Sequence, residues 1–476
     1  MVLEMTRSGV APIRSLDQAL VDALADKLLG EVILPGDDEY DAARTVANAA
    51  IDRRPALIVR PARTADVQAA VRFAVANDLP LSVRSGGHAV SGAAIVEGGV
   101  TIDLRSMTWI GGDPELRVAR AETGLTWAEL NAATQHHGLT VPSGKLSTIG
   151  VGGLTLGGGI GWLVRKYGLT IDHVRSAEIV TADGQALTVS ADEHADLFWA
   201  IRGGGGNFGV VTSFEFDLVH LPTVYGGLVA FPFPLAGQAL RAYRDFIATA
   251  PQELTTVAGL ITGPDGSRVV AFGVAYAGPA EEGERALRPL LSIGEPVMSA
   301  LSELPHGGLL RMFESGAPAS LGLRIRAGFV EDLDDDLIDT LIERFAAAPA
   351  SHPVVIVAHL DGAMARVAAD ATAFPHRGES LALEVVGGWP DPEHAAATER
   401  WVLDLWQAVQ PHTTGNVTVS FLDDEGPERI KAAYGQNWDR LVAIKRQYDP
   451  TNLFRSNHNI APDEGVRRQS SVVSRQ

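Results

Sequence analysis

The chain has 476 residues, 46% hydrophobic and 20% charged, with 58 acidic side chains against 39 basic ones and a formal charge of -19. That length is about three times the ~150 residues of one domain and predicts two or three structural units. The charge opposes nucleic acid as a partner, no window reaches the ~20 unbroken apolar residues of a membrane helix, and the absence of cysteine removes disulfides, thiolate metal sites and cysteine nucleophiles together.

Residues 1–30 lack the basic region and apolar core of an export signal, so a cytoplasmic location is expected. Ser15-Leu16-Asp17-Gln18 reads as a capping box that opens an amphipathic helix. Ala56-Leu57-Ile58-Val59-Arg60 predicts a strand ended by Pro61. Thr64 is expected to cap the helix that follows, whose stripe is Val67, Ala70, Val71, Ala74 and Val75. Leu81-Ser82-Val83 resumes a strand, giving β-α-β, and the turn Arg84-Ser85-Gly86-Gly87-His88-Ala89-Val90-Ser91-Gly92 follows with no helical pattern behind it. Further strands are expected at Val100-Thr101-Ile102-Asp103-Leu104 and Arg117-Val118-Ala119-Arg120-Ala121. A second capping box is expected at Thr126-Trp127-Ala128-Glu129, its helix stopped by Gly138.

Glycine is 50 of the 476 residues, and eight of them fall in residues 150–168. Glycine weakens helix and strand interiors, so no packed element is expected there. The interleaved Leu154, Ile160, Trp162 and Leu163 argue against disorder and for a loop that something approaches closely. Residues 177–189 read as a hairpin turning at Asp183-Gly184. Residues 196–202 read as a helix end, 203–206 as a backbone loop and 210–218 as a strand. Beyond Pro222 strands such as Val269-Val270-Ala271-Phe272 and Val354-Val355-Ile356-Val357 alternate with helical stretches such as 337–348, as in a second unit with its own sheet. Residues 430–453 turn helical, and 464–476 read as a mobile tail.

Several familiar motifs fail on context. Gly204-Gly205-Gly206-Asn207-Phe208-Gly209 matches the dinucleotide fingerprint but stands between a helix and a strand, the reverse of the order the pyrophosphate needs. Gly144-Lys145 is followed by Leu146 where a phosphate loop needs Ser or Thr. No G-x-S-x-G elbow occurs. His136 and His137 are adjacent and cannot share a helix face, and no metal is expected. The turn at residues 84–92 differs, because consecutive small residues free successive N–H groups to converge on an anion without adding positive charge.

Taken together, Arg84-Ser85-Gly86-Gly87-His88, Gly150-Val151-Gly152-Gly153, Gly157-Gly158-Gly159-Ile160-Gly161-Trp162, Arg165-Lys166-Tyr167-Gly168-Leu169-x-x-Asp172, Asp196-Leu197-Phe198-Trp199-Ala200-x-Arg202-Gly203, and Tyr448-Asp449-Pro450-Thr451-Asn452-Leu453-Phe454 with Asn457 resemble the berberine-bridge-enzyme-like branch of the vanillyl-alcohol-oxidase flavoproteins. The likeness spans nearly the whole chain in the family's order and spacing. It implies an α+β fold: a PCMH-type FAD-binding domain of two α/β subdomains, and a substrate domain whose antiparallel sheet is covered by helices. The boundaries it implies are 1–222 for the FAD domain, 223–424 for the substrate domain, 425–465 for a segment returning to the FAD domain, and 466–476 for the tail.

The resemblance further implies FAD joined covalently to His88, whose loop of Arg84, Ser85, Gly86, Gly87, Ser91 and Gly92 would hold the pyrophosphate. Ser143 and Thr148 would also touch the cofactor, and Gly150, Gly152, Gly153, Gly157 and Gly158 would pass along the isoalloxazine and diphosphate. Tyr167 and Gly168 would bind the cofactor as well, Asp172, Gly206, Gly209 and Val211 would lie near the adenosine half, and Asn457 would reach the ring edge. Leu146 stands where many relatives carry a cysteine for a second tether, so a single tether is implied. Val151 matches the residue type that accompanies oxygen reactivity in relatives. The expected activity is an oxidase that takes a hydride from a C–OH carbon of a small organic substrate and passes the electrons to dioxygen as hydrogen peroxide. The single tether and Ile51-Asp52-Arg53-Arg54-Pro55-Ala56-Leu57-Ile58 also resemble the enterocin-pathway flavin oxygenase. An N5-oxygen-transferring oxygenase therefore stays open, as do an amine oxidase and a flavin-binding protein without turnover. Relatives place tyrosine and asparagine on a strand corresponding to residues 415–421, where this chain has Thr418 and Ser420, neither of which titrates usefully. His359 and Glu384, on neighbouring strands of the substrate domain, are the candidate proton acceptors.

Overall fold

The computed structural model describes residues 16–462, apart from 264, 315–319, 350 and 351. Ser15 and the tail from 466 lie outside the described residues. The first sheet has the strand order Glu31–Ile33, Leu57–Arg60, Val100–Asp103, Leu81–Arg84. Leu57–Arg60 and Leu81–Arg84 do not pair with each other; both run parallel to Val100–Asp103 between them. Helix Thr64–Ala76 buries Val67, Ala70, Val71 and Ala74 completely, as its period requires, whereas Val75 is 50% exposed. Thr64 is not the cap. Arg63 occupies that position without a side-chain bond, and the Thr64 hydroxyl donates instead to Glu178 of the next sheet.

That next sheet is antiparallel and five-stranded: Ile110–Asp113, Val118–Glu122, Val210–Asp217, Val174–Val180, Ala186–Ser190. The last two strands form the hairpin expected from Asp183-Gly184, with Gly184 at φ +77°. Helix Trp127–Gln135 carries the full reciprocal capping box of Thr126 and Glu129. The glycine-rich stretch departs from expectation, since it holds two short helices, Val151–Leu156 and Val164–Tyr167. Tertiary contact outweighs glycine's weak propensity there: Val151, Leu163 and Val164 are essentially inaccessible to solvent.

The third large sheet has seven antiparallel strands in the order Met298–Leu304, Val224–Pro232, Arg268–Tyr276, Leu254–Thr262, His352–His359, Leu381–Trp389, Gly322–Val330. Helices Ala236–Ile247, Ala280–Leu291, Asp335–Ala346 and Ala395–Val409 cover one face, packing on Val229, Phe272, Val355, Val357, Leu383 and Val385. The other face turns toward the first half of the chain. Arg165 ties the two, its guanidinium donating to the carbonyl of Pro251 at 2.9 Å and to Asp361 at 2.8 Å. Residues 415–421 do not form the expected strand: Val419–Phe421 is a single 3₁₀ turn. Helices Pro427–Tyr434 and Trp438–Tyr448 then return to the first half. Lys445, fully buried, donates to the carbonyls of Asn207 (2.7 Å) and Phe454 (2.9 Å) and to Asp449 (2.7 Å). Among the described residues no helix is long and apolar enough to cross a membrane.

His306 opens helix His306–Met312 and is wholly buried against Thr140, whose hydroxyl lies 3.0 Å from Nδ1. Burial pushes its pKa down to about 4. The folded protein therefore holds a neutral imidazole where the unfolded chain binds a proton, and stability present above pH ~6.5 drains away as the pH falls toward about 4. His306→Gln should flatten the acid limb of a denaturation midpoint plotted against pH between those values. An unchanged acid limb would show that other groups set it.

Candidate active site

A cavity of ≈ 480 Å³ lies between the first two sheets, the returning C-terminal segment and the open face of the seven-stranded sheet. Its floor is backbone. Among the described residues, no acceptor takes the amides of Gly86, Gly87, His88, Ala89 and Val90, and these residues line the cavity. Five successive free N–H groups form a concave partial positive charge suited to an anion. The loop sits there because Gly86 and Gly150 touch backbone to backbone. A Cβ at Gly86 would lie 2.3 Å from the Gly150 nitrogen, and one at Gly150 would lie 2.2 Å from the Gly86 nitrogen. Gly87, at φ +78°, then turns the chain over the Arg84 guanidinium.

Of the positions expected at the cofactor, Ser85, Gly86, Gly87 and His88, then Gly150, Gly152, Gly153 and Gly157, then Gly206, Gly209, Val211 and Asn457 do line this cavity. The remainder do not, and all but Ser143 are otherwise engaged. Arg84 is buried behind its loop, donating to the carbonyl of Ala43; burial first, and then Arg105, bring its pKa down to about 10. Ser91 and Gly92 turn onto Arg53 and Ile51. Ser143 is buried with an unpaired hydroxyl, and Thr148 bonds Glu314. A Cβ at Gly158 would meet Phe374 at 2.8 Å. Asp172 is bound bidentately by Arg377 at 2.8 Å and caps the Leu169 amide, with Gly168 beside it and Tyr167 under the Lys166 ammonium. None of these residues lines the cavity. Val151 packs into the core and presents nothing to it.

Strand alternation separates the two candidate bases. Ile356 and Glu384 are register partners on adjacent strands and both line the cavity. His359 is an odd number of residues from Ile356 and so points to the opposite, helix-covered face with Val355 and Val357. There it is 3% exposed, its Nε2 3.0 Å from Asp361. His359 is therefore not a residue of this cavity, and its candidacy as proton acceptor is withdrawn. Glu384 receives Lys145 at 2.5 Å, and the same ammonium lies 5.3 Å from the centre of the Phe421 ring. Leu146 lines the wall next to it. The sequence drew attention to Lys145 only as a failed phosphate loop. Ser420, which the sequence offered only as a residue that does not titrate usefully, is also in the wall, and Tyr434 and His458, which no pattern singled out, join it from the returning segment.

Comparison with known proteins gives the family. Residues 55–190 match the FAD binding domain family model, and residues 419–461 match the model for berberine and berberine-like proteins. An uncharacterized FAD-linked oxidoreductase of Bacillus subtilis, YgaK, is 32% identical over 443 residues, covering 92% of this chain and 98% of the relative. The chain belongs to the berberine-bridge-like FAD-linked oxidoreductases. The (R)-6-hydroxynicotine oxidase of Paenarthrobacter nicotinovorans is 30% identical, over 91% of this chain and 97% of that one. The crystal structure of 6-hydroxy-D-nicotine oxidase from Arthrobacter nicotinovorans superposes with a TM-score of 0.86 at 27% identity, covering 92% of this chain and 98% of that one. The xylooligosaccharide oxidase of Myceliophthora thermophila shares the fold at 24% identity and a TM-score of 0.83, over 94% and 100%.

FAD fits the residues present. The free amides of the His88 loop suit a diphosphate, and the glycines at 150, 152 and 153 leave the wall flat. Asn457, whose Nδ2 donates to the Gly206 carbonyl at 3.0 Å, keeps a buried, unpaired Oδ1 able to take a ring N–H. As a member of this family, the protein is an FAD-dependent oxidoreductase acting on small molecules.

The contact of Gly86 with Gly150 is testable by crowding it. Gly86→Ala and Gly150→Ala should each lower stability by about 1–3 kcal/mol, the usual cost of overpacking, and reduce bound flavin in proportion. Gly153→Ala, whose added Cβ would meet nothing within 4 Å, should melt no lower than wild type. Equal melting temperatures for all three would dissolve the argument.

Proposed function

We propose that this protein is an oxidase of a neutral C–OH substrate, with FAD tethered by His88 alone, Glu384 as proton acceptor and dioxygen as electron acceptor. The observation that carries the reading is the Lys145–Glu384 ion pair in an otherwise largely apolar cavity wall, facing away from the sheet core. Bound FAD would accept the hydride and hand its electrons to dioxygen, releasing hydrogen peroxide. Glu384 would take the substrate hydroxyl proton, and Lys145 at 2.5 Å holds that carboxylate in one orientation. Ile356 and Phe421 line the cavity beside the pair. The ammonium also bears on substrate choice, because it repels a protonated amine, and the pair as a whole favours an uncharged alcohol over the amine alternative. Support for oxygen as acceptor comes from the relatives named as oxidases and not from Val151, which lies in the core. Leu146 in the wall beside Lys145 cannot form a thioether, in keeping with a single tether.

Two measurements test this. Acid-precipitated protein should keep its yellow colour in the pellet and lose it on His88→Ala. Across a panel of primary and secondary alcohols scored by peroxide release, Glu384→Gln should slow flavin reduction by about 10²–10⁴-fold, with His359→Gln close to wild type. Peroxide from amines alone, or a Glu384→Gln enzyme as fast as wild type, would overturn the assignment.

A further inference from the structure

The seven-stranded sheet ends on Gly322–Val330, which pairs with Leu381–Trp389 on one side only. Its other side meets residues 47–50, between helix Tyr40–Arg44 and strand Leu57–Arg60. The Ala49 amide donates to the Leu321 carbonyl at 2.8 Å. Asn48, which is buried, then does what a neighbouring strand would do. Its Oδ1 accepts the Leu323 amide at 2.8 Å, and its Nδ2 donates to the Leu323 carbonyl at 3.2 Å. The second Nδ2 hydrogen goes to the Val90 carbonyl at 2.8 Å, and the second Oδ1 lone pair takes the Ala50 amide at 3.1 Å. A carboxamide has two donors and two acceptor sites, and all four are used here. One residue earlier, the Ala47 amide donates to the Gly87 carbonyl at 3.1 Å.

Two carbonyls of the His88 loop, those of Gly87 and Val90, are therefore held by residues that do not line the cavity. A trans peptide is planar, with its C=O and N–H opposed, and no cis peptide occurs among the described residues. Binding the Gly87 carbonyl to Ala47 thus turns the His88 amide the opposite way, toward the cavity that His88 lines. Gly150 supports the loop at Gly86 and Asn48 supports it at Val90, so the five free amides lie between two fixed points.

We propose that Asn48 is a positioning residue for the flavin diphosphate, aiming the amides of residues 86–90 by pinning the outer side of their loop to the edge of the substrate-side sheet. The proposal rests on placing the diphosphate at that loop, and it does not depend on the tether. The role needs a carboxamide. Asn48→Asp keeps acceptors for the Leu323 and Ala50 amides but turns a carboxyl oxygen on the Val90 or Leu323 carbonyl, where a donor is required. Asn48→Ala loses all four bonds. Asn48 acts through the loop and has no place in the cavity wall. Docking of the substrate half therefore completes the floor of the cofactor site, because one side chain bonds both the edge strand and the anion loop.

The test uses the full-length His88→Ala protein, in which flavin binding is reversible, as the reference, and adds Asn48→Asp or Asn48→Ala to it. The FAD dissociation constant is read from flavin fluorescence. At saturating FAD, peptide-resolved hydrogen exchange compares protection of residues 86–90 with that of 205–209 and 454–458, stretches that line other parts of the cavity. The expected result for Asn48→Asp is a dissociation constant raised about tenfold, the size of one hydrogen bond left unmade, with protection lost at 86–90 and kept at the other two stretches. Asn48→Ala should lose at least as much. Protection lost evenly around the cavity, or failure of both variants to fold, would make Asn48 a residue of the fold alone and refute the proposal. Unchanged affinity or unchanged protection at 86–90 would refute it too. A reference protein whose residues 86–90 gain no protection from FAD would instead remove the diphosphate from this loop.

Discussion

The close approach of two glycine backbones, Gly86 against Gly150, is the constraint on which the rest of the site depends. It lets a loop from the parallel sheet lie flat on the turn that begins helix Val151–Leu156, and that leaves successive amides facing the cavity with no protein acceptor. A side chain at either position would put its Cβ 2.2–2.3 Å from the opposing backbone nitrogen, so the two loops would have to part. A chain with a formal charge of -19 can hold a diphosphate here because the attraction comes from fixed backbone dipoles at short range, where net charge several Debye lengths away is screened.

The seven-stranded sheet supplies the other wall, and its period of two decides which side chains face the cavity. Glu384 and Ile356 share a register and a face; His359, three residues on, belongs to the face under the helices. The Lys145–Glu384 pair is assembled from the two halves of the chain, so its geometry depends on how they dock. Among the interactions that fix that docking are Arg165 on Asp361, Arg377 on Asp172, Glu314 on Ser147 and Thr148, and Trp162 stacked on Phe313. Two substrate-side carboxylates therefore grip one short loop, Glu384 at Lys145 and Glu314 at Thr148.

The C-terminal return is held by a different device. Lys445 satisfies two carbonyls and Asp449 in a site without solvent, and Asp449 in turn accepts the amides of Leu453 and Phe454. A buried ion pair of this kind is costly to break because either partner alone would be an unpaired charge. It fixes two cavity-lining stretches, Asn207 and residues 454–458, relative to each other.

The sequence by itself determined the family, the fold class and the glycine loops, because those rest on local requirements: a positive φ at Gly87, an absent side chain at Gly86 and Gly150, a turn at Gly184, a capping box at Thr126. It also pointed to the loop of His88 as one whose successive amides could converge on an anion. Only the tertiary structure decided which titratable groups face the cavity. Tyr167, Asp172 and Thr148 have the family's spacing yet are committed to Lys166, Arg377 and Glu314, and His359 and Glu384 look equivalent until sheet register puts them on opposite faces. Lys145 carried no signal, since its partner is 239 positions away along the chain and no local pattern reports a contact made only when two halves dock. A short-range rule can be read from neighbouring residues, whereas a charge pair across an interface exists only once the chain has folded.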